Sequence, residues 1–258
     1  MTTKPLKKRN NSVTIAITVL FVLFTIILGF SFSKGILSQT VFGKSILSSL
    51  NGIFALDSTQ MWWYVTRSAG IIAYLLLWFS TVWGLAIPSK LLSPTLEQNY
   101  TFDFHEFISL LAIGFLVLHI SVLMVDRYLP YNILQLLIPF TSSYRPFWVG
   151  IGIISFYLTL LVTVTFYLRR KIGSSTFRAI HLLSLVSYLG ATLHGLYAGT
   201  DSPLATMQIL YKGTALVVGF LTIYYIALKI QHKATFKKKI IPHRFQQHRH
   251  SRTQPTLF

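Results

Sequence analysis

Long runs of apolar residues, each broken by a short polar or basic stretch, set the pattern of this chain. A helix needs about 20 mostly apolar residues to cross the hydrocarbon of a bilayer. Six stretches are long enough: 13–32, 62–87, 103–125, 147–168, 179–198 and 208–230. The pattern predicts an all-α membrane protein, a bundle of six transmembrane helices. The first stretch follows Lys7, Lys8 and Arg9, as the apolar run of a signal peptide would. It is longer than the ~7–15 residues of such a run, and no small-x-small cleavage motif follows it. It therefore reads as a retained helix.

The connections differ in character. Residues 33–61 form a long loop whose Ile36, Leu37, Val41, Phe42, Ile46, Leu47 and Leu50 are spaced loosely like one helix face, which predicts a segment lying at the membrane interface. Residues 128–140 are apolar but too short to span, and they contain Pro130 and Pro139; an interfacial position is expected here too. Residues 231–258 are polar and basic with no apolar periodicity, which predicts a disordered or surface-bound tail. Three regions result: 1–60 with the first helix and its loop, 61–230 with the main bundle, and the tail 231–258.

Composition narrows the function classes. Hydrophobic residues make up 53% of the 258 and charged residues 11%, against about 25% charged in soluble domains. With a mean hydropathy of +0.58, this excludes a soluble enzyme, a disordered protein and a secreted disulfide scaffold. Cysteine is absent, which removes disulfides, iron–sulfur clusters, Cys-based zinc sites and covalently tethered haem. The net charge of +17 raises the question of nucleic acid, and its distribution answers it. With the N-terminus in the cytoplasm, only Lys34, Lys44, Arg67, Arg127, Arg145 and Lys212 fall on the outer side, leaving 17 of the 23 Lys and Arg inside. That is the positive-inside pattern of six spans with both N- and C-termini cytoplasmic, in a multi-pass protein of the cell (plasma) membrane. The charge encodes topology and requires no nucleic acid. Membrane lipid is the expected partner of the tail, including His243, His248 and His250.

Ionisable residues inside a span are costly and point to function. Four histidines lie in predicted spans, in two pairs. His105 and His119 are 14 apart on the third span, and His181 and His194 are 13 apart on the fifth. Both spans run outward, so His105 and His181 share an inner level and His119 and His194 an outer one. The two levels are separated by roughly 20 Å at 1.5 Å per residue. Two imidazoles facing each other across a bundle are what a six-coordinate b-type haem requires. Two stacked haems would form an electron path across the bilayer. The spacings carry one conflict. A step of 14 returns to within about 40° of the same helix face, whereas a step of 13 misses by about 140°. Either the fifth helix is irregular, for which Gly190 is a candidate, or the two centres meet it from different directions.

With these pairs stand Thr66-Arg67-Ser68-Ala69-Gly70-Ile71-Ile72-Ala73-Tyr74, Pro139-Phe140-Thr141-Ser142-Ser143-Tyr144-Arg145-Pro146, and Phe177-Arg178 through His181 to His194-Gly195 and Gly199-Thr200-Asp201. On these stretches, residues 60–230 resemble the ferric reductase-like transmembrane domain family. That family includes the membrane cores of NADPH oxidases and ferric-chelate reductases and the haem subunit of the bacterial methionine-sulfoxide reductase system. The resemblance implies electron transfer from the cytoplasmic face through an inner haem, held by His105 and His181, then an outer haem, held by His119 and His194, to an external acceptor. About 28 residues follow the last span, and no Gly-x-Gly-x-x-Gly motif follows a strand. A short form without a flavin and nicotinamide domain is expected. Its electrons would come from a separate cytoplasmic reductase, a bound flavin, or a quinone or quinol of the membrane. The outer acceptor or partner protein is left open.

Haem propionates need cationic or hydrogen-bonding partners. Arg178, three residues before His181, is the candidate at the inner level and Arg67 at the outer. Asp103 and Glu106 flank His105 and are candidates to orient its ring. Tyr188 and Phe115 lie between the levels along their helices. Two other readings compete: a proton or ion pathway lined by the four histidines, and a haem-free structural subunit. The pairing by level favours the haem reading, because a proton relay gains nothing from it.

Overall fold

The computed structural model describes residues 59–89, 97–126 and 131–250, of which 59–60, 98 and 232–250 are described by backbone alone. All regular structure among them is helical: α1 (Thr59–Ala86), α2 (Gln98–Leu123), α3 (Ile133–Leu137), α4 (Pro146–Ile172), α5 (Ser174–His181), α6 (Leu183–Ala198) and α7 (Ala205–His250). Five segments are long and apolar enough to cross a membrane: Met61–Ala86, Asn99–Leu123, Pro146–Ile172, Ser174–Ala198 and Ala205–Gln231. They coincide with five of the six predicted spans. The first predicted span and the loop after it, up to residue 58, lie outside the described residues, as do 251–258.

Local chemistry places the helix ends. α1 stops before Pro88, whose ring forbids continuation and whose missing N–H could not bond the previous turn. Pro146 opens α4 at a position where the absent N–H costs nothing. Gly173, at φ +82°, closes α4 and turns the chain into α5 in a conformation that only glycine adopts without penalty. Asn132 and Gln135 form a reciprocal cap on the short α3. α3 exposes Ile133, Leu134 and Leu137, in keeping with an interfacial segment.

The backbone of α7 continues past the last span as helix to His250, a form open to a surface-bound tail. Extending an existing helix avoids the cost of nucleation. Lys, Ala, Gln and Arg in 232–250 are good helix formers and favour the continuation, against which Pro242 removes one backbone hydrogen bond.

α1 and α2 pack antiparallel, with the Trp83 indole donating to the Thr101 carbonyl at 3.0 Å near one end. α6 lies along α4 through small polar side chains. Thr159 and Ser187 hydroxyls are 2.7 Å apart, and Ser187 also reaches the Ser155 carbonyl at 2.8 Å. Small hydroxylated residues let membrane helices approach closely and supply hydrogen bonds that lipid cannot. The main buried cluster joins α1, α6 and α7 through Tyr74, Leu85, Tyr188, Tyr211 and Val218. The outer faces are apolar: Leu216, Phe220, Ile223 and Ile209 of α7 are each 70–74% exposed. A bundle that turns such side chains outward suits lipid rather than water.

Candidate functional site

The four histidines come together in two pairs at two ends of the bundle. The His105 and His181 ring centres are 6.1 Å apart, with the rings inclined by 76°. His119 and His194 line one cavity of about 230 Å³ enclosed by α1, α2, α4 and α6. The outer and inner rings are held differently. Nδ1 of His119 donates to the Thr66 carbonyl (2.8 Å), and Nδ1 of His194 to the Trp148 carbonyl (3.0 Å). A carbonyl only accepts, so both rings carry the proton on Nδ1 and keep a lone pair on Nε2. Nδ1 of His105 lies 3.4 Å from the Ser80 hydroxyl, which is itself 2.7 Å from that of Ser109. Nδ1 of His181 is buried without a partner.

Glycines stand behind three of these rings. A Cβ on Gly70 would lie 2.9 Å from Nδ1 of His119, and one on Gly84 would lie 3.1 Å from Cε1 of His105. On α4, a Cβ on Gly152 would lie 2.5 Å from Nδ1 of His194. In the sequence Gly70 stands out only within the stretch from Thr66 to Tyr74, and none of the three glycines is given a role there. The signal that would have found them is spacing: Gly70 and Gly84 repeat on α1 the 14-residue step of the histidines on α2.

The irregularity of the fifth span sits at Leu182, beside His181, and not at Gly190. The Leu185 N–H bonds the Leu182 carbonyl (3.1 Å) in a tightened i→i+3 turn where α5 meets α6. Such a turn adds about 20° per residue, too little to bring His181 and His194 onto one face. The two histidines look in different directions, His181 toward α2 and His194 toward α4. Gly190 has a separate use, since it lets α6 close onto Ser155 of α4.

Arg67 lines the outer cavity, pairs with Asp201 and lies 3.7 Å above the Trp63 ring. Arg178 is exposed on α5, near the inner pair. Glu106 was a candidate to orient His105; its carboxylate accepts the Tyr167 hydroxyl at 3.0 Å, and Ser80 is the group beside the His105 ring. Tyr188 is buried in the cluster with Tyr74 and Tyr211, and Phe115 is half-buried on α2. At the cavity mouth, burial raises the Tyr131 phenol above its usual pKa, against the lowering effect of the Ser142 hydroxyl that donates to it.

The donor set can be tested against a metal group. Two imidazoles sharing a metal, each about 2 Å from it, have ring centres roughly 6 Å apart, the spacing of the inner pair. No group of three or more His, Cys, Asp or Glu able to hold a bare ion occurs among the described residues. Two imidazoles alone are a donor set for a metal that brings its other ligands with it. No family model matches this chain, and neither curated proteins nor solved structures give a match.

Proposed function

We propose that this protein is a multi-pass electron carrier of the plasma membrane, of the ferric reductase-like kind. His105 and His181 would hold one b-type haem, and His119 and His194 a second. When bound, the haems supply one-electron chemistry, each iron alternating between ferric and ferrous forms. The chain's residues supply the rest. His119 and His194 offer unprotonated Nε2 atoms because their Nδ1 protons are kept in hydrogen bonds to carbonyls. Arg67, steadied by Asp201 and Trp63, offers a cation at the cavity for an acidic substituent. Arg178 serves the inner level from the exposed end of α5. Between the levels, the Tyr74 and Tyr188 rings fill the interior and exclude water.

The observation that carries this reading is the meeting of histidines far apart in sequence in two separate pairs, one at metal-sharing distance. The path runs from a cytoplasmic donor, a separate reductase or a quinol, through the inner pair and then the outer pair to an acceptor outside. Its orientation rests on Arg169, Arg170, Lys171 and Arg178, which lie at the end of the bundle where His105 and His181 meet. The test is an absorption spectrum of the purified protein, first oxidised and then dithionite-reduced. Low-spin b-haem bands are expected, with two extractable haems per chain. A colourless protein overturns the reading, and one haem per chain removes one of the two pairs.

A further inference from the structure

One local arrangement occurs three times. On α1, Thr66 gives its carbonyl to His119 and residue 70 is glycine; Ser80 gives its hydroxyl to His105 and residue 84 is glycine. On α4, Trp148 gives its carbonyl to His194 and residue 152 is glycine. In every case the partner of Nδ1 stands four residues before the glycine, one helical turn away.

The reason lies in helix geometry. A helical side chain leans toward the N-terminus and covers the turn before its own Cα. The side chain at position i therefore shields the carbonyl at i−4, whose first lone pair already accepts the N–H of residue i. Glycine at i uncovers the second lone pair and leaves a flat opening. An imidazole from the neighbouring helix fills that opening. We propose that Gly70, Gly84 and Gly152 are positioning residues, each forming a window that fixes one histidine ring from behind. At His119 and His194, where the acceptor is a carbonyl, the window also fixes the tautomer, with the proton on Nδ1 and the lone pair on Nε2. His181 has no such window among the described residues, and its Nδ1 is the one without a partner. This deepens the haem reading, which supplies its purpose, while the contacts themselves involve protein atoms alone.

The test is nitrogen NMR on 15N-histidine-labelled full-length protein in lipid nanodiscs, kept under dithionite so that any low-spin iron is diamagnetic. His119 and His194 are expected to show a protonated Nδ1 and one tautomer each. Gly70→Ala should disturb His119 alone, and Gly152→Ala His194 alone, each losing the single-tautomer signal. Gly213→Ala serves as the control, since a Cβ there meets nothing within 4 Å. Folded Gly70→Ala and Gly152→Ala proteins with wild-type signals overturn the proposal. Should these variants not fold, the wild-type spectrum decides: mixed tautomers or an unprotonated Nδ1 at His119 and His194 overturn it. The absorption spectrum of the same sample separates the two readings. A colourless protein with single tautomers keeps the windows and ends the haem reading; in a haem protein, where iron on Nε2 would itself keep the proton on Nδ1, the Nδ1 shift that reports the carbonyl hydrogen bond decides, and an unshifted Nδ1 in the glycine variants overturns the windows.

Discussion

The hydroxyl of Tyr74 lies 2.6 Å from that of Thr214, 3.1 Å from that of Tyr188 and 3.3 Å from the Thr192 hydroxyl. These bonds tie α1 to α6 and α7. Hydrogen bonds between membrane helices average about 0.6 kcal/mol, so Tyr74→Phe should cost roughly 2 kcal/mol, read as a lower unfolding midpoint in detergent, with the histidine pairs unchanged. The four histidines were legible in the sequence because an ionisable group inside a span is expensive and needs a reason. Ser80, Gly70, Gly84 and Gly152 were not. Serine and glycine are common in membrane helices, and their meaning depends on which side chain lies opposite. Glu106 is a related case: adjacency to His105 along α2 says nothing of the Tyr167 hydroxyl that α4 brings to it.

At the scale of the element, apolar runs fixed where five crossing segments lie, and the helix breakers Pro88, Pro146 and Gly173 agree with their ends. The division of the fifth span at Leu182 left no mark, because Leu182 and Leu183 are ordinary helix residues and the tightened turn arises from packing. The helical continuation of α7 was hidden by its polarity, since periodicity reports burial and not helix formation. Close packing of α4 on α6 leads to a further prediction. Gly190 faces Ser155, with no room for a larger side chain. Gly190→Leu should force the two helices apart and destabilise the protein by about 1–3 kcal/mol, measured by thermal unfolding in detergent. A variant as stable as the wild type would show that the α4–α6 contact gives way freely.

For the molecule as a whole, orientation is the property that, on the function proposed above, would turn two histidine pairs into a directed path. The chain has no cysteine, so single-cysteine variants report on one site each. Ser174, the first residue of α5, and Thr141, in the segment before α4, are both exposed. Thr141→Cys should react with an impermeant maleimide in intact cells, and Ser174→Cys only in inverted vesicles. The opposite pattern would reverse the direction of flow. The unequal treatment of the four imidazoles has a consequence for energy as well as geometry. A ring whose Nδ1 proton is drawn to a carbonyl is a more basic ligand through Nε2, and stronger donation favours ferric over ferrous iron. Both rings of the outer pair are drawn in this way; of the inner pair, His105 is held by Ser80 alone and Nδ1 of His181 has no partner. A potentiometric titration should therefore resolve two midpoints, the lower belonging to the outer pair and disappearing in His119→Ala. Electrons would then climb slightly between the two centres, and the crossing would depend on a strong cytoplasmic reductant and an acceptor that removes them promptly outside.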